Sequence, residues 1–298
     1  MAAKRGRRAL MRAPLAGRLA LAPAMVVMGL LVAVGLGYAV AQSLGMLPLT
    51  GEPAVGLDSY RALAGGEGGA VDVWASAAFT LWVSVASTIL ALALALAAAG
   101  WIDRPAGRRR RGATGVMHIN LAIPHVVWAI GLLIILSQGG LLSRVAAAIG
   151  LISEPSEFPL LVRDPLGIGI ILHYATKEAP FLALIAYALI RARPRELDAT
   201  ARSLGATGLR RFRMLTLPTV LPGLAIAGAL VIAFVFGAYE APVVLGMDSP
   251  RMLSVVGLDL FSASDLTLRP QAMALGVLMA AAVMVALLAA LAVVRRWR

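Results

Sequence analysis

Six segments of this chain are apolar over roughly 20 residues or more, and that length constrains the fold more than any other feature. An α-helix rises 1.5 Å per residue, so about 20 residues cross a hydrocarbon core about 30 Å thick. Only 14% of the residues are charged, against about a quarter in a soluble domain. We therefore predict an all-α polytopic membrane protein with six transmembrane helices. The predicted spans, numbered 1 to 6, are 19–40, 76–101, 116–137, 167–190, 219–239 and 271–294.

The charged residues are divided unevenly between the connections. Both ends of the chain and the connections after spans 2 and 4 contain 21 of the 27 Lys and Arg residues. The other three connections contain 11 of the 15 Asp and Glu residues. Because Lys and Arg mark the cytoplasmic ends of spans, we predict that both termini are cytoplasmic. The arginine run at 108–111 then flanks span 3, and we predict no nucleic acid partner.

The domain organisation follows from this map. Residues 19–294 form one transmembrane domain, preceded by a basic cytoplasmic segment at 1–18 and followed by a short cytoplasmic tail at 295–298. The N-terminus also resembles a signal peptide, because "AVA" at 39–41 follows the apolar run. That run is near 20 residues, longer than the 7–15 residues of a signal peptide, so we predict a retained first span.

No catalytic or metal-binding constellation is present in the sequence. The chain has no cysteine, which excludes disulfides and thiolate metal sites. Its only lysines are Lys4 and Lys177, and neither lies in a phosphate-binding P-loop. The histidines, His118, His125 and His173, lack the spacing of paired metal ligands on one helix. We predict a chain that is not an enzyme and that binds no metal or cofactor.

The connection between spans 4 and 5 contains an amphipathic segment. As a helix, residues 196–204 place Leu197, Ala201 and Leu204 on one face. Two glycines then break the helix, and a second amphipathic piece ends at Pro218. We predict two short helices along the cytoplasmic surface; physical chemistry alone also allows a basic loop in the lipid headgroups. The two glycines are Gly205 and Gly208.

A longer pattern runs through this segment. Gly205 is followed by nine residues and then by Leu-Thr-Leu-Pro at 215–218. This order resembles the EAA loop of binding-protein-dependent ABC importer permeases, inner-membrane components with the MetI-like fold. The pattern of that family is Glu-Ala-Ala, three residues, Gly, nine residues, Ile-x-Leu-Pro. The resemblance covers about residues 75–294, and is nearest to the spermidine/putrescine, thiamine and sulfate type.

One position departs from the family pattern. The Glu-Ala-Ala positions are occupied by Ala199, Thr200 and Ala201, so the glutamate is missing. Asp198 is one residue away, about 100° round the helix, and does not simply replace it. The departure affects how strongly the chain couples to an ATPase, rather than whether it docks.

The resemblance implies a set of partners and a location. We expect a second permease chain, identical or different, and two ABC ATPases that bind ATP and Mg. We also expect a solute-binding protein on the acidic outer loops, in the inner membrane of a prokaryote. The solute would be polyamine-, thiamine- or sulfate/iron-like. The cytoplasmic coupling-helix region is 196–217, and the implied ATPase-coupling residues are Glu196, Asp198, Ala199, Thr200, Ala201, Arg202, Ser203, Gly205, Ala206, Leu217 and Pro218.

Polar residues inside the spans form a second group of candidates. Lys177 and Glu178 lie near the middle of span 4, where an ionised side chain costs roughly 2.5–3.5 kcal/mol. They either form a buried ion pair that holds spans 4 and 5 together, for instance with Glu240, or line the translocation path. Pro180 is expected to kink the helix nearby. The path candidates are Asn120, His125, His173, Lys177, Glu178 and Glu240.

A stripe of small residues marks span 5. Ala225, Ala229, Ala233 and Gly237 recur every four residues, a spacing that lets another helix approach closely. We predict a packing face there, which would meet the partner permease in the implied dimer. Two other functions stay open: an ion-coupled secondary transporter using His173, Lys177 and Glu178, and, more weakly, a membrane enzyme.

Overall fold

The computed structural model describes residues 2–47, 49, 53–65, 72–102, 108–206 and 208–296. Trp297 and Arg298 of the predicted tail lie outside this range. Regular secondary structure in the described ranges is helical throughout. The α-helices are α1 Ala2–Ser43, α2 Asp58–Gly65, α3 Val73–Ile102, α4 Arg108–Ala122, α5 His125–Leu136, α6 Leu141–Ala148, α7 Ile168–Ala192, α8 Arg195–Ser203, α9 Gly208–Arg211, α10 Leu217–Gly237, α11 Glu240–Leu245, α12 Leu253–Ser262 and α13 Arg269–Arg296.

Six helical segments are long and apolar enough to cross a membrane, as the sequence predicts. Four of them coincide with predicted spans to within about five residues, and the fifth begins earlier. The third is displaced towards the C-terminus. The segments are Leu21–Ser43, Val73–Gly100, His125–Ala148, Ile168–Ala192, Gly208–Gly237 and Leu266–Ala292.

The prediction of span 3 as one helix over 116–137 is wrong. Helix α4 ends at Ala122 and α5 begins at His125. Between them Pro124 has φ −59° and ψ 147°, which is extended rather than helical backbone. Proline has no N–H to donate and disfavours the helical conformation at the residue before it. The apolar run therefore divides at Ile123–Pro124, inside the segment that hydropathy treats as uniform.

The prediction that Pro218 ends a separate surface helix is also wrong. Helix α9 leads into a π-helical turn at Phe212–Thr216, which continues directly into α10. The N–H of Leu217 donates to the carbonyl of Phe212, five residues earlier. Pro218 follows in the first turn of α10, where proline is tolerated. The result is one helical rod over Gly208–Gly237.

Helices α3 and α7 form the centre of the core through small side chains. Alanines let the two helix backbones approach closely, which favours association inside a membrane. The hydroxyls of Thr80, Ser84 and Thr88 on α3 each donate to the carbonyl four residues earlier, at 2.7–2.8 Å. These buried polar groups are therefore satisfied within their own helix. The buried alanines are Ala91, Ala95 and Ala99 on α3 and Ala175, Ala179, Ala183 and Ala186 on α7.

The start of α7 is fixed by a buried carboxylate. Asp164 is 3% exposed, and its side chain accepts the N–H groups of Leu166 at 2.9 Å and Ile168 at 3.0 Å. It also accepts the N–H of Gly169 at 3.5 Å. A carboxylate at a helix N-terminus satisfies donors that have no partner within the helix. Gly167 precedes the helix with φ 70°, a conformation that glycine adopts without strain.

Candidate functional site

The polar residues of span 4 lie against the break in span 3. His173, Lys177 and Glu178 are 0%, 2% and 9% exposed on successive turns of α7. The break at residues 123–124 faces them, with Asn120 on α4 and His125 on α5. Five of the six path candidates therefore lie together, from helices far apart in sequence. The sixth, Glu240, is exposed at the first residue of α11.

Lys177 binds main-chain carbonyls rather than a carboxylate of span 5. Its Nζ donates to the carbonyl of Asn120, and to that of Ile123 at 2.6 Å. The interpretation of an ion pair with Glu240 is wrong, because the ammonium of Lys177 instead binds two carbonyls at the end of α4 that lack their i+4 helical donors. The side-chain oxygen of Asn120 is buried and has no hydrogen-bond partner within the described part of the chain.

The carboxylate of Glu178 contacts the imidazole of His125. Nε2 of His125 lies 3.7 Å from Oε1 of Glu178, and Nδ1 lies 3.3 Å from Nε2 of His173. The second contact requires one ring to donate and the other to accept, so the two tautomers are complementary. Trp128 adds a further link, because its indole N–H donates to the hydroxyl of Thr176 at 3.0 Å. Helix α5 is thus tied to α7 along its first turn.

His125, Lys177 and Glu178 border a cleft of about 340 Å³. Its walls come from both sides of the span 3 break, from α7 and from α10. The sequence did not indicate the aromatic and aliphatic walls, because span 5 is apolar all round and its periodicity does not distinguish the inward residues. Three of the path candidates, Asn120, His173 and Glu240, are not among the lining residues, which are Leu121, His125, Lys177, Glu178, Phe181, Leu230, Val231 and Phe234.

The predicted coupling-helix region has an exposed apolar face. Leu197 on α8 and Leu204 directly after it are 48% and 76% exposed, so the described chain does not cover them. The predicted break is present: Gly205 has φ 72°, and the N–H of Ala206 donates to the carbonyl of Ala201 at 2.9 Å. That bond is typical of a Schellman motif at a helix C-terminus. The side chains of Asp198 and Arg202 lie outside the described residues.

The far end of this region rests on α3. A Cβ at Gly100 would lie 3.3 Å from two ring carbons of Phe212, so that ring packs directly against the glycine. Phe212 is the first residue of the π-helical turn. The sequence contains no pattern that pairs these two positions, because the contact joins segments more than 100 residues apart.

The small residues of span 5 lie off the core. Ala225 and Gly237 are exposed, and Ala229 and Ala233 are partly exposed. The core face of α10 is a different one, formed by Val220, Leu224, Ala227, Val231 and Val235. A packing role for the small residues towards another chain stays a prediction.

Solved structures share this fold over nearly the whole chain. One is a bacterial ABC transporter involved in the import of the acidic polysaccharide alginate, with a TM-score of 0.75 at 18% identity. The match covers 95% of this chain and 97% of that one. The alginate transporter in complex with an alginate pentasaccharide-bound periplasmic protein matches with a TM-score of 0.74 at 20% identity, over 98% and 96%.

Two curated proteins are related in sequence over part of the chain. The inner membrane ABC transporter permease protein YnjC of Escherichia coli K12 is 30% identical over 149 residues, 49% of this chain and 27% of that protein. A probable molybdenum ABC transporter permease protein of Haloferax volcanii is 30% identical over 169 residues, 57% of each chain. The chain thus spans between about a quarter and three fifths of these relatives.

The matching family model covers most of the chain. It is described as the binding-protein-dependent transport system inner membrane component, and it matches residues 89–298. This range includes the span 3 break, the α7 cluster, the coupling-helix region and α10. The chain therefore belongs to the family of binding-protein-dependent transport system inner membrane components.

Proposed function

We propose that this chain is the transmembrane permease subunit of an ABC importer, and that it moves a small polar solute into the cytoplasm by alternating access. Family membership supports the class. Two ATPases would dock on the coupling-helix region, a solute-binding protein on the acidic outer loops and a second permease on the small-residue face of α10. ATP and Mg would be held by the ATPases, and no bond is broken in this chain.

The observation that carries the proposal is the continuous helix over Gly208–Gly237. It starts beside the coupling helix α8 and reaches the cleft at Leu230, Val231 and Phe234. At 1.5 Å per residue, the distance from Gly208 to Leu230 is about 33 Å. A displacement of α8 by a docked ATPase would therefore pass the turn at Gly205 and then reach the cleft through one helix.

The cycle also needs a difference in binding free energy between two states. ATP and solute shift an equilibrium only if they bind one conformation more tightly than the other. The cleft offers a carboxylate, an imidazole, an ammonium and two phenyl rings, which suits a small polar or organic solute such as the polyamine, thiamine or sulfate/iron classes. A second copy or a different permease would complete the cleft on its open side.

The test is co-purification of a P-loop ATPase with the tagged full-length chain. A double variant with Glu at both Ala201 and Gly205 should abolish the association. Ala201 lies in the last turn of α8 and Gly205 lies just after the helix, where the partner would dock. A matched control is Ser262→Glu, an exposed position at the end of α12 on the opposite, predicted outer side. Retention of the ATPase by the double variant would contradict docking at α8.

The alternative function, an ion-coupled secondary transporter, would use the same α7 residues. The energy source of transport distinguishes it from an ABC importer. Proteoliposomes that contain only this chain should show no solute uptake in a proton gradient. Uptake under those conditions would favour a secondary transporter, since the His125–His173 contact and the His125–Glu178 pair offer a series of proton-accepting groups.

A further inference from the structure

The break in span 3 removes the i+4 donors of two carbonyls, although the N–H of Ile123 still donates to the carbonyl of Asn120 at 3.2 Å. In a continuous helix the N–H of residue 124 would donate to the carbonyl of Asn120, but residue 124 is proline. The carbonyl of Ile123 would likewise take the N–H of Val127, which is on the far side of the break. The Nζ of Lys177 donates to both carbonyls. One side chain of α7 thus replaces the two hydrogen bonds that the break removes.

The same stretch of α7 also contacts α5, the second half of span 3. His125 is the first residue of α5, and it contacts Glu178 at 3.7 Å and His173 at 3.3 Å. Lys177 therefore binds the end of α4, while its neighbours on α7 bind the start of α5. The two halves of span 3 meet on α7 rather than through a helical backbone of their own.

The lysine and the proline depend on each other. Lys177 is 2% exposed, and a buried ammonium needs acceptors close to it. The acceptors are carbonyls at a helix C-terminus, where the helix dipole also favours a cation. A continuous helix would consume those acceptors and leave the ammonium buried without a partner. Conversely, without the ammonium the carbonyl of Ile123 loses its donor, and that of Asn120 keeps only the 3.2 Å bond from the N–H of Ile123.

We propose that residues 123–124 form a pivot between α4 and α5, and that Lys177 is the positioning residue that holds the pivot together. This inference rests on the proposed transport function for its purpose. Leu121 in the last turn of α4 and His125 at the start of α5 both line the cleft. Rotation of α4 about the break changes the shape of the cleft while α5 stays on α7. In this arrangement Lys177 borders the cleft but acts through α4, because its hydrogen bonds go to the carbonyls of Asn120 and Ile123.

The first experiment is a double-mutant cycle on the stability of the purified chain in detergent. Lys177→Met should lower the midpoint of thermal unfolding by about 5 °C or more. Pro124→Ala alone should also lower it, because the restored N–H competes with Lys177 for Asn120. The double variant should recover at least half of the Lys177→Met loss, since the helix then supplies its own donors. Additive losses would overturn the proposal.

Two further variants control this cycle. Pro222→Ala removes a proline from the interior of α10, away from the break, so its effect should add to that of Lys177→Met. Lys177→Arg keeps the charge and several donors, and it should retain most of the stability. A recovery of Lys177→Met by Pro222→Ala equal to that by Pro124→Ala would show that loss of any proline compensates.

The second experiment measures the pivot itself. The chain has no cysteine, so Val116→Cys and Ile134→Cys place spin labels on exposed positions of α4 and α5 without background labelling. In a straight helix the two positions would be about 27 Å apart along the axis. We expect a shorter distance in the parent chain and about 27 Å in the double variant. Equal distances in both proteins would contradict a break that the proline maintains.

The functional arm uses the same labels in the assembled transporter. Trapping with MgATP and vanadate should shift the distance in the parent protein but not in the straightened double variant. An unchanged distance in the parent protein on trapping would overturn the pivot. If no ATPase co-purifies, the proposed function fails, yet the stability cycle and the nucleotide-free distances still decide whether Lys177 holds the break.

Discussion

Truncating the two exposed leucines at α8, Leu197 within the helix and Leu204 directly after it, should weaken docking of an ATPase without weakening the fold. Leu204 is 76% exposed and Leu197 is 48% exposed, so neither contributes much to the packing of this chain. A partner that covers both side chains would remove that apolar surface from water. Loss of docking with unchanged stability is the result expected of an interface residue, and a core residue would give the reverse.

The magnitude follows from the exposed fractions. Leu→Ala removes three carbons, about 2.4 kcal/mol for complete burial at about 0.8 kcal/mol each. Scaled by exposure, the largest available losses are about 1.8 kcal/mol at Leu204 and about 1.2 kcal/mol at Leu197. Together they give about 3 kcal/mol, which raises the Kd for the ATPase by about 100-fold.

The assay is a titration of the purified ATPase against the labelled chain in detergent, with thermal unfolding of the chain alone in parallel. Leu151→Ala is the matched control, because Leu151 is 73% exposed but follows α6 on the predicted outer side. A change below about threefold in Kd, or an equal change in the control, would refute the assignment of α8 as the docking surface.

Three other predictions concern single positions. Asp164→Ala should lower the free energy of unfolding by about 2 kcal/mol, because three N–H groups at the start of α7 lose their acceptor, whereas Asp164→Asn should lose less; denaturant titration distinguishes them. Ala199→Glu should strengthen ATPase association severalfold, and unchanged affinity would show that the missing glutamate does not limit docking. Gly167→Ala should lower the unfolding midpoint, because its Cβ would lie 2.9 Å from the Phe79 ring at φ 70°.

The parts of the fold that follow from residue type were predictable from the sequence. Hydropathy and length identify six spans because the cost of burying a polar backbone in lipid selects long apolar helices. The EAA-like spacing around Gly205 identified the family, which the match over 89–298 confirms. The prediction of a multi-pass inner-membrane protein is confirmed by the same match, whereas the cytoplasmic orientation of the termini stays a prediction.

The candidate site was less predictable, because its partners are backbone atoms. Lys177, a lysine in the middle of an apolar span, suggests an ion pair, because a buried ammonium is commonly paired with a carboxylate. Its acceptors are instead carbonyls of Asn120 and Ile123, which become acceptors only because Pro124 interrupts the helix. The proline was visible in the sequence, but a hydropathy average over about 20 residues does not register one missing donor.

The packing of the cleft walls indicates which of them can move. Helix α7 is the most buried span, with half of its most apolar stretch inside the protein, and alanines fix it against α3. Span 5 is 33% buried and the segment His125–Ala148 is 22% buried, so both retain large surfaces outside the core. Tightly packed interfaces resist continuous deformation, whereas a break or a sparsely packed helix moves at lower cost. We therefore expect α7 to act as the fixed wall that carries Lys177 and Glu178, while α4 turns at Pro124 and α10 follows α8. A disulfide between α3 and α7 should then leave transport intact, and one between α4 and α10 should block it.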